Sequence, residues 1–175
     1  RHFAKVTLKL LPLERGTENR FRSEITDETI PDTFIPAIKK GVMESLESGS
    51  LMGYPVVDVE AVLTGGEYKE SLSTELAYTV SASMACKAAL TKGEPFLLDP
   101  IMNVEVFVPE TFMGDVIGDL NSRNGKIESI EHKMGVQVIK VVVPLARMFG
   151  YSTALRSATQ GRGTFTMQFS HFDRC

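Results

Sequence analysis

The order of predicted elements in the last third of the chain restricts its fold more than any other feature of the sequence. β-Branched and apolar residues predict strands in this block, over Ile101–Val108, Lys126–Lys133, Val136–Val143 and Gly163–Phe172. One helix is predicted between the first two strands and another between the last two. The order strand, helix, strand, strand, helix, strand is that of the ferredoxin-like fold, which has both helices on one face of an antiparallel sheet.

These two helices are predicted from apolar residues that recur at helical spacing. One stripe consists of Met113, Val116, Ile117 and Leu120, and the other of Leu145, Met148, Tyr151 and Leu155. Gly114 and Gly118 weaken the first helix and share one of its faces. We therefore expect them to allow a close approach to another backbone.

An RNA-recognition motif has the same element order and needs aromatic side chains on its central strands. The third predicted strand, Val136–Val143, contains none. We therefore do not expect bases to stack on this sheet.

The first half of the chain also combines strands and helices, but in a different order. Strands are predicted over Phe3–Leu11, Phe21–Thr26 and Tyr54–Leu63. One helix is predicted from a cap at Asp32 or Thr33 to Ser48, and a second from a cap at Ser73 to Leu90. The second helix is apolar around much of its circumference, so we expect most of it to be buried.

A domain boundary is predicted near Pro95–Pro100, where a short turn separates the two patterns. The chain is therefore interpreted as an α+β protein with an α/β domain over residues 1–98 and a ferredoxin-like domain over residues 99–175. It starts at Arg1-His2 and runs straight into a predicted strand, which is typical of a fragment of a longer protein.

The composition restricts partners and location. With a net charge of −3, a nucleic-acid partner has to be met by local patches and not by a general basic field. The two cysteines, Cys86 and Cys175, give no disulfide framework, which favours a reducing, cytoplasmic compartment. No apolar run reaches the length of a membrane span.

Residue patterns for catalysis and cofactors are weak. His2, His132 and His171 lie on different predicted elements, so no metal site is expected. Neither glycine-rich segment is followed by the Lys-Ser/Thr pair of a phosphate-binding loop. On these grounds the chain is interpreted as a non-catalytic binding module that holds no cofactor.

Two features suggest binding instead. Arg123, Arg147, Arg156 and Arg162 flank the ends of the predicted helices of the second domain and suit phosphate contact, although ordinary surface arginines remain an alternative. The predicted loop from Gly65 to Leu72 contains glycines, an aromatic residue, a lysine and hydroxyls. It is either a plain connector or a binding loop on a rigid scaffold.

Several long strings resemble one family. Pro144-Leu-Ala-Arg-Met-Phe-Gly-Tyr-Ser-Thr-Ala-Leu-Arg-Ser157 is similar to the C-terminal signature of bacterial elongation factor G. Leu98–Val106 and Gly114–Leu120 are similar to the start of the same domain, and Gly53–Asp58 and Ser73–Ala77 to the domain before it. The resemblance covers essentially the whole chain and implies domains four and five of that factor.

The resemblance implies a function. Elongation factor G moves transfer RNA and messenger RNA through the ribosome. Its fourth domain mimics a transfer RNA, reaches the decoding site of the small subunit, and contains an unusual left-handed βαβ crossover. Its fifth domain lies near the sarcin–ricin loop of the large subunit. The parent factor is implied to be a cytoplasmic, monomeric GTPase without membrane association, whose GTP and Mg²⁺ are bound by domains outside this chain.

The resemblance also implies site residues. One RNA-binding tip loop is expected at Gly65, Gly66, Glu67, Tyr68, Lys69, Glu70 and Ser71. A second tip segment is expected at Arg1 and His2, and residues facing ribosomal RNA at Arg123, Arg156 and Arg162.

The first tip loop departs from the family pattern, in which it usually reads Tyr-His-x-Val-Asp-Ser-Ser-Glu. Lys69 stands at the histidine and Leu72 at the aspartate. A divergent paralogue, active in ribosome recycling or tetracycline protection, is therefore one alternative. A metabolite-binding ferredoxin-like regulatory module is another.

Overall fold

The computed structural model describes residues 1–174 and places them in two units that divide between Phe96 and Leu97. Both units combine a sheet with helices, so the predicted α+β class is confirmed. Each unit has its own cluster of buried apolar side chains.

The first unit is built on a three-stranded sheet. Its elements are β1 (Lys5–Pro12), β2 (Arg20–Ser23), α1 (Ile35–Ser48), β3 (Val59–Glu67) and α2 (Glu75–Lys92). The strand order is β1-β3-β2, with β1 antiparallel and β2 parallel to β3. Because α1 connects the parallel pair β2 and β3, these elements form the predicted βαβ unit.

The start of β3 is later than predicted. Residues 54–58 are not in a strand, because Asp58 turns the chain with a φ of 59°. The Asp58 carboxylate accepts hydrogen bonds from the backbone N–H groups of Gly16 (3.1 Å) and Glu18 (2.9 Å) and so holds the loop before β2. Nothing in the hydrophobic pattern of the sequence marks this turn. The pattern that predicts the strand therefore continues across it, and the predicted strand begins too early.

Both predicted helix caps of this unit are wrong. A 3₁₀ turn over Asp32–Phe34 precedes α1, and no side chain caps either element. At α2 the cap is Thr74, whose Oγ1 accepts from the Ala77 N–H at 3.1 Å, and not Ser73.

The expectation that most of α2 is buried is also wrong. Tyr78, Ala82, Cys86 and Leu90 point into the core. Leu76, Val80 and Met84 lie on the other side, and Leu76 and Met84 are each 67% exposed. A helix that rests on one face of a sheet buries only one stripe, whatever the composition of the rest of its circumference.

The second unit has the predicted ferredoxin-like topology. Its elements are β4 (Asp99–Pro109), α3 (Met113–Ser122), β5 (Lys126–Lys133), β6 (Val136–Pro144), α4 (Tyr151–Ala158) and β7 (Thr164–Asp173). The sheet has the order β5-β6-β4-β7 and every neighbouring pair is antiparallel. Val104, Val106, Ile139 and Val141 of the central strands pack with Val116, Leu120 and Leu155 of the helices.

Two details of this unit differ from the sequence predictions. Gly114 and Gly118 face open space, so no backbone approaches them. The close approach is at Gly125, where an added Cβ would lie 2.7 Å from the Leu120 carbonyl oxygen. The second helix begins only at Tyr151, because Leu145–Arg147 form a separate 3₁₀ turn.

Gly65 and Gly66 are strand residues of β3 and not part of a loop. An added Cβ on Gly66 would collide with the carbonyl oxygen of Lys5 on β1 and lie 2.6 Å from Cδ1 of Ile30. At Gly65 the nearest atom, Cβ of Thr7, is 3.8 Å away. The two glycines are therefore not equivalent.

We predict that Gly66→Ala destabilises the first unit by about 2 to 3 kcal/mol, the cost of overpacking against a fixed backbone. Gly65→Ala is the matched control and should change the stability by less than about 1 kcal/mol. Hydrogen exchange of first-unit peptides under increasing urea measures both, and equal protection in the two variants would contradict the prediction.

Candidate functional site

Two segments of the first unit, Arg1–Ala4 and Tyr68–Thr74, meet and are called the tip. The backbone N–H of Phe3 donates to the carbonyl oxygen of Leu72 at 2.9 Å. Nδ1 of His2 lies 3.3 Å from Oγ1 of Thr74. The structure therefore brings the two predicted tip segments together, although they lie far apart in the sequence.

The tip turn is closed by its own hydrogen bonds. The N–H of Lys69 donates to Oγ of Ser73 at 2.9 Å, and the Lys69 carbonyl accepts from the N–H groups of Leu72 and Ser73. Ser71 has a φ of 67°, a left-handed conformation that the tight turn imposes. These bonds fix the backbone of Lys69, while Lys69, Glu70 and Ser71 remain exposed.

The Lys69 ammonium lies 4.2 Å from the centroid of the Phe3 ring. A cation over an aromatic face is attracted by the ring quadrupole. The contact orients the side chain and leaves the ammonium exposed to an external anion.

A series of aromatic rings connects the tip to the core. Buried Tyr78 packs against Phe34 with a centroid distance of 4.9 Å, and Phe34 packs against Tyr68 at 5.8 Å. The Tyr78 hydroxyl donates to the carbonyl oxygen of Glu67 at 2.8 Å, and burial raises its pKa. The tip turn is thus held from the core side at the end of β3.

The predicted loop was too long at its N-terminal end. Gly65, Gly66 and Glu67 continue β3, and the Glu67 carboxylate pairs with Lys5 of β1 at 3.5 Å. Sequence patterns also missed Phe3, Phe34 and Thr74, because no spacing rule relates them to residues 68–74. An aromatic residue beside Arg1-His2 was the only available signal.

The guanidinium of Arg123 makes its contacts within the second unit. Its Nε donates to Asp119 Oδ2 at 2.9 Å, and its Nη1 donates to the carbonyls of Arg147 (2.8 Å) and Phe149 (2.9 Å). The guanidinium carbon lies 5.1 Å from the centroid of Tyr151, and the side chain is only 16% exposed. This arginine connects α3 to the segment before α4, and little of it is left to face RNA.

Arg156 and Arg162 are both exposed. Arg156 donates to Oγ of Ser152 at 3.1 Å, and Arg162 lies 5.8 Å from the centroid of Phe112. Arg162 lies in a tight turn that the buried Thr159 hydroxyl closes by accepting from the Gly163 N–H at 2.8 Å. These two arginines can reach an external phosphate, whereas Arg123 is held inside.

The sequence around these arginines contains no acidic residue. From Val136 to Phe172 the sequence contains Lys140, Arg147, Arg156 and Arg162 but no aspartate or glutamate. The whole chain nevertheless has a net charge of −3. Carboxylates of other elements lie nearby, since Glu131 pairs with Lys140 at 3.8 Å and Asp119 with Arg123 at 2.9 Å. Exposed Arg147, Arg156 and Arg162 are left as charges that suit a polyanionic partner.

Among residues 1–174, no group of three or more His, Cys, Asp or Glu side chains could hold a metal ion. Burial raises the pKa of the Cys86 thiol and so disfavours the reactive thiolate. Cys175 lies outside the described residues. No helix within residues 1–174 combines the length and hydropathy needed to cross a membrane.

Comparison with known families bears on these interpretations. Residues 1–94 match the family model described as elongation factor G, domain IV, and residues 96–175 match the model described as elongation factor G C-terminus. The chain belongs to the elongation factor G family. The resemblance predicted from the sequence strings is thereby confirmed, and neither matched model is that of a GTP-binding domain.

A solved structure supports the same assignment of the fold. The chain is similar to a crystal structure of a protein from Thermus thermophilus, with 36% sequence identity and a TM-score of 0.82. The match covers 95% of this chain and 25% of that chain. The present chain therefore spans about a quarter of the length of the structure that it matches.

We predict that Arg123→Ala destabilises the second unit by about 2 to 4 kcal/mol, because it removes charge-assisted hydrogen bonds to Asp119 and to two backbone carbonyls. Arg156→Ala is the control for an exposed arginine of the same unit and should cost less than about 0.5 kcal/mol. Thermal unfolding measures both, and similar losses in the two variants would show that the Arg123 network is not structural.

The stability of the second unit is predicted to fall at high pH because of Tyr151. Burial and the nearby Asp119 raise the pKa of the Tyr151 phenol from its ordinary value of 10.0 to about 12, against the opposing effect of Arg123. Because the pKa of Tyr151 is higher in the folded than in the unfolded chain, the protonated phenol contributes its full stabilisation below pH 10. This contribution to the free energy of unfolding is lost as the pH rises toward 12. The loss is about 2 to 3 kcal/mol.

Tyr151→Phe removes this titration. The Tyr151 hydroxyl has no hydrogen-bond partner among the described residues, so the variant should be at least as stable as the wild type at neutral pH. Urea unfolding from pH 8 to pH 12 should show the wild type losing more stability than the variant. Equal losses of stability with pH in the wild type and the variant would show that Tyr151 is not the group that titrates.

Proposed function

We propose that this chain is the ribosome-binding C-terminal part of a translation elongation factor that promotes GTP-dependent translocation of transfer RNA and messenger RNA. The observation that carries the proposal is the match of the two elongation factor G models, which together account for nearly the whole chain. GTP and Mg²⁺ would be bound by other domains of a longer parent protein. The parent would act as a monomer in the cytoplasm.

The tip is proposed to enter the decoding site of the small subunit. Support comes from Lys69, which combines a fixed backbone with an exposed ammonium oriented by Phe3. A lysine contacts phosphates as a compact charge without reading sequence. A contact of this kind suits a factor that has to act on every codon. Arg1, His2, Tyr68, Glu70 and Ser71 are the other predicted site residues of the tip.

The second unit is proposed to face ribosomal RNA of the large subunit, near the sarcin–ricin loop. Support comes from exposed Arg156 and Arg162 within a stretch that lacks carboxylates. Arg123 is left out of this proposed contact, because three of its N–H donors are used within the unit and its side chain is only 16% exposed.

A recycling or tetracycline-protection function is the second candidate. Lys69 and Leu72 at the positions of the usual histidine and aspartate favour it, since a changed tip chemistry is compatible with a changed step on the ribosome. A metabolite-binding module is less well supported, because both halves of the chain match domains of a translation factor.

We predict that Lys69→Ala in the full-length factor slows messenger RNA movement about fivefold to tenfold, the scale of one lost charge-assisted contact. Ribosome-stimulated GTP hydrolysis should stay largely unchanged, because the tip lies outside the GTP-binding domain. Stopped-flow measurement gives the rate of messenger RNA movement, and phosphate release gives the rate of GTP hydrolysis.

Two variants make the result specific. Lys69→Arg keeps the charge and should retain most of the rate. Lys39→Ala removes an exposed lysine of α1 outside the tip and should have no effect. If Lys69→Ala moves messenger RNA as fast as the wild type, the tip contact is wrong, and subunit splitting by the same preparation then tests the recycling alternative.

A further inference from the structure

Phe149 is an unusual surface residue of the second unit. Its side chain is 84% exposed, although exposure of a large aromatic ring costs hydrophobic free energy. It lies in the segment Leu145–Gly150, called the 145–150 loop, between β6 and α4. It is not among the side chains of the buried cluster of the second unit.

The backbone of the 145–150 loop is held from several sides. Nη1 of Arg123 donates to the carbonyls of Arg147 and Phe149, so a single guanidinium clamps both sides of Met148. The Met148 N–H donates to Leu145, and the Met148 side chain is buried in the core. Phe149 is therefore exposed on a fixed backbone and not on a flexible one.

This rigidity matters for binding. A residue that is already ordered loses little conformational entropy when a partner covers it. An exposed aromatic ring on such a segment is the arrangement found in sites where rings stack on nucleic-acid bases.

The surrounding charges indicate the kind of partner. Arg147 lies two residues before Phe149 and is exposed, and Arg156 is exposed on the helix that follows. The sequence from Val136 to Phe172 contains no carboxylate, and the nearby Asp119 is paired with Arg123 at 2.9 Å. Single-stranded nucleic acid offers both a ring face for Phe149 and phosphates for the arginines.

We propose that Phe149 stacks on an unpaired RNA base while Arg147 contacts the adjoining phosphate, and that Arg123 is a positioning residue that holds the ring in place. The proposal rests on the proposed function, because it names the chemistry by which the second unit meets ribosomal RNA. It adds to the phosphate contacts an aromatic contact that requires an unpaired base.

The test uses the 175-residue chain and purified ribosomes. Phe149→Ala and Phe149→Leu should each weaken cosedimentation affinity about tenfold, the scale of one lost base–aromatic stack. Phe149→Trp should retain the affinity, since it keeps an aromatic face. Met134→Ala is the matched control, because Met134 is 101% exposed at the turn between β5 and β6 and should not matter.

Two further measurements distinguish base stacking from apolar docking and from a merely structural effect. Replacement of Phe149 by the photo-crosslinker p-benzoylphenylalanine should label ribosomal RNA. Arg123→Lys keeps the charge but loses the two-carbonyl clamp, so it should weaken binding, and its effect should not add to that of Phe149→Ala. A purely structural effect of Arg123 would instead add to the loss.

Each contrary outcome has a distinct meaning. If the wild-type chain does not cosediment with ribosomes, the proposed function and this inference both fail. If it cosediments and Phe149→Ala binds equally well, only the stacking proposal is overturned. Retention of affinity by Phe149→Leu, or crosslinking to a ribosomal protein, overturns it in favour of apolar docking to protein.

Discussion

Both units depend on the same constraint, which is that a sheet must cover one apolar face with helices to form a core. In the first unit α1 and α2 provide the cover, and in the second unit α3 and α4 do so. The turns at the ends of these elements then present the exposed charges and rings. Their positions follow from the core, because the strands and helices that flank each turn are fixed by burial.

The arginines show why charge alone does not locate a binding surface. Arg123, Arg156 and Arg162 are indistinguishable as residue types. The structure separates them by what they contact, since three donors of Arg123 go to Asp119 and two carbonyls while Arg156 and Arg162 remain exposed. An arginine whose guanidinium bridges two elements stabilises the unit. An arginine whose guanidinium remains exposed can contact a partner.

Much of the fold was predictable because its signals are local. Alternation and helical spacing predicted the element order of the ferredoxin-like unit, and the signature strings predicted the family. Three errors have a common physical origin in contacts between distant residues. Asp58 turns the chain before β3 by binding the loop near Gly16, Gly66 lies against Lys5 of another strand, and the exposed side of α2 depends on what the sheet covers.

The site was less predictable than the fold, because it depends on which cation packs against which aromatic ring. At the tip, Lys69 lies over Phe3, so the ring orients a charge that remains exposed. In the second unit, Arg123 lies over Tyr151 and clamps the 145–150 loop, so the charge is used internally and a ring remains exposed. The first arrangement suits contact with any phosphate backbone. The second suits an unpaired base, because every base offers a ring face on which Phe149 can stack. The two surfaces therefore differ in chemistry as well as in position, and neither difference is visible in the residue types alone.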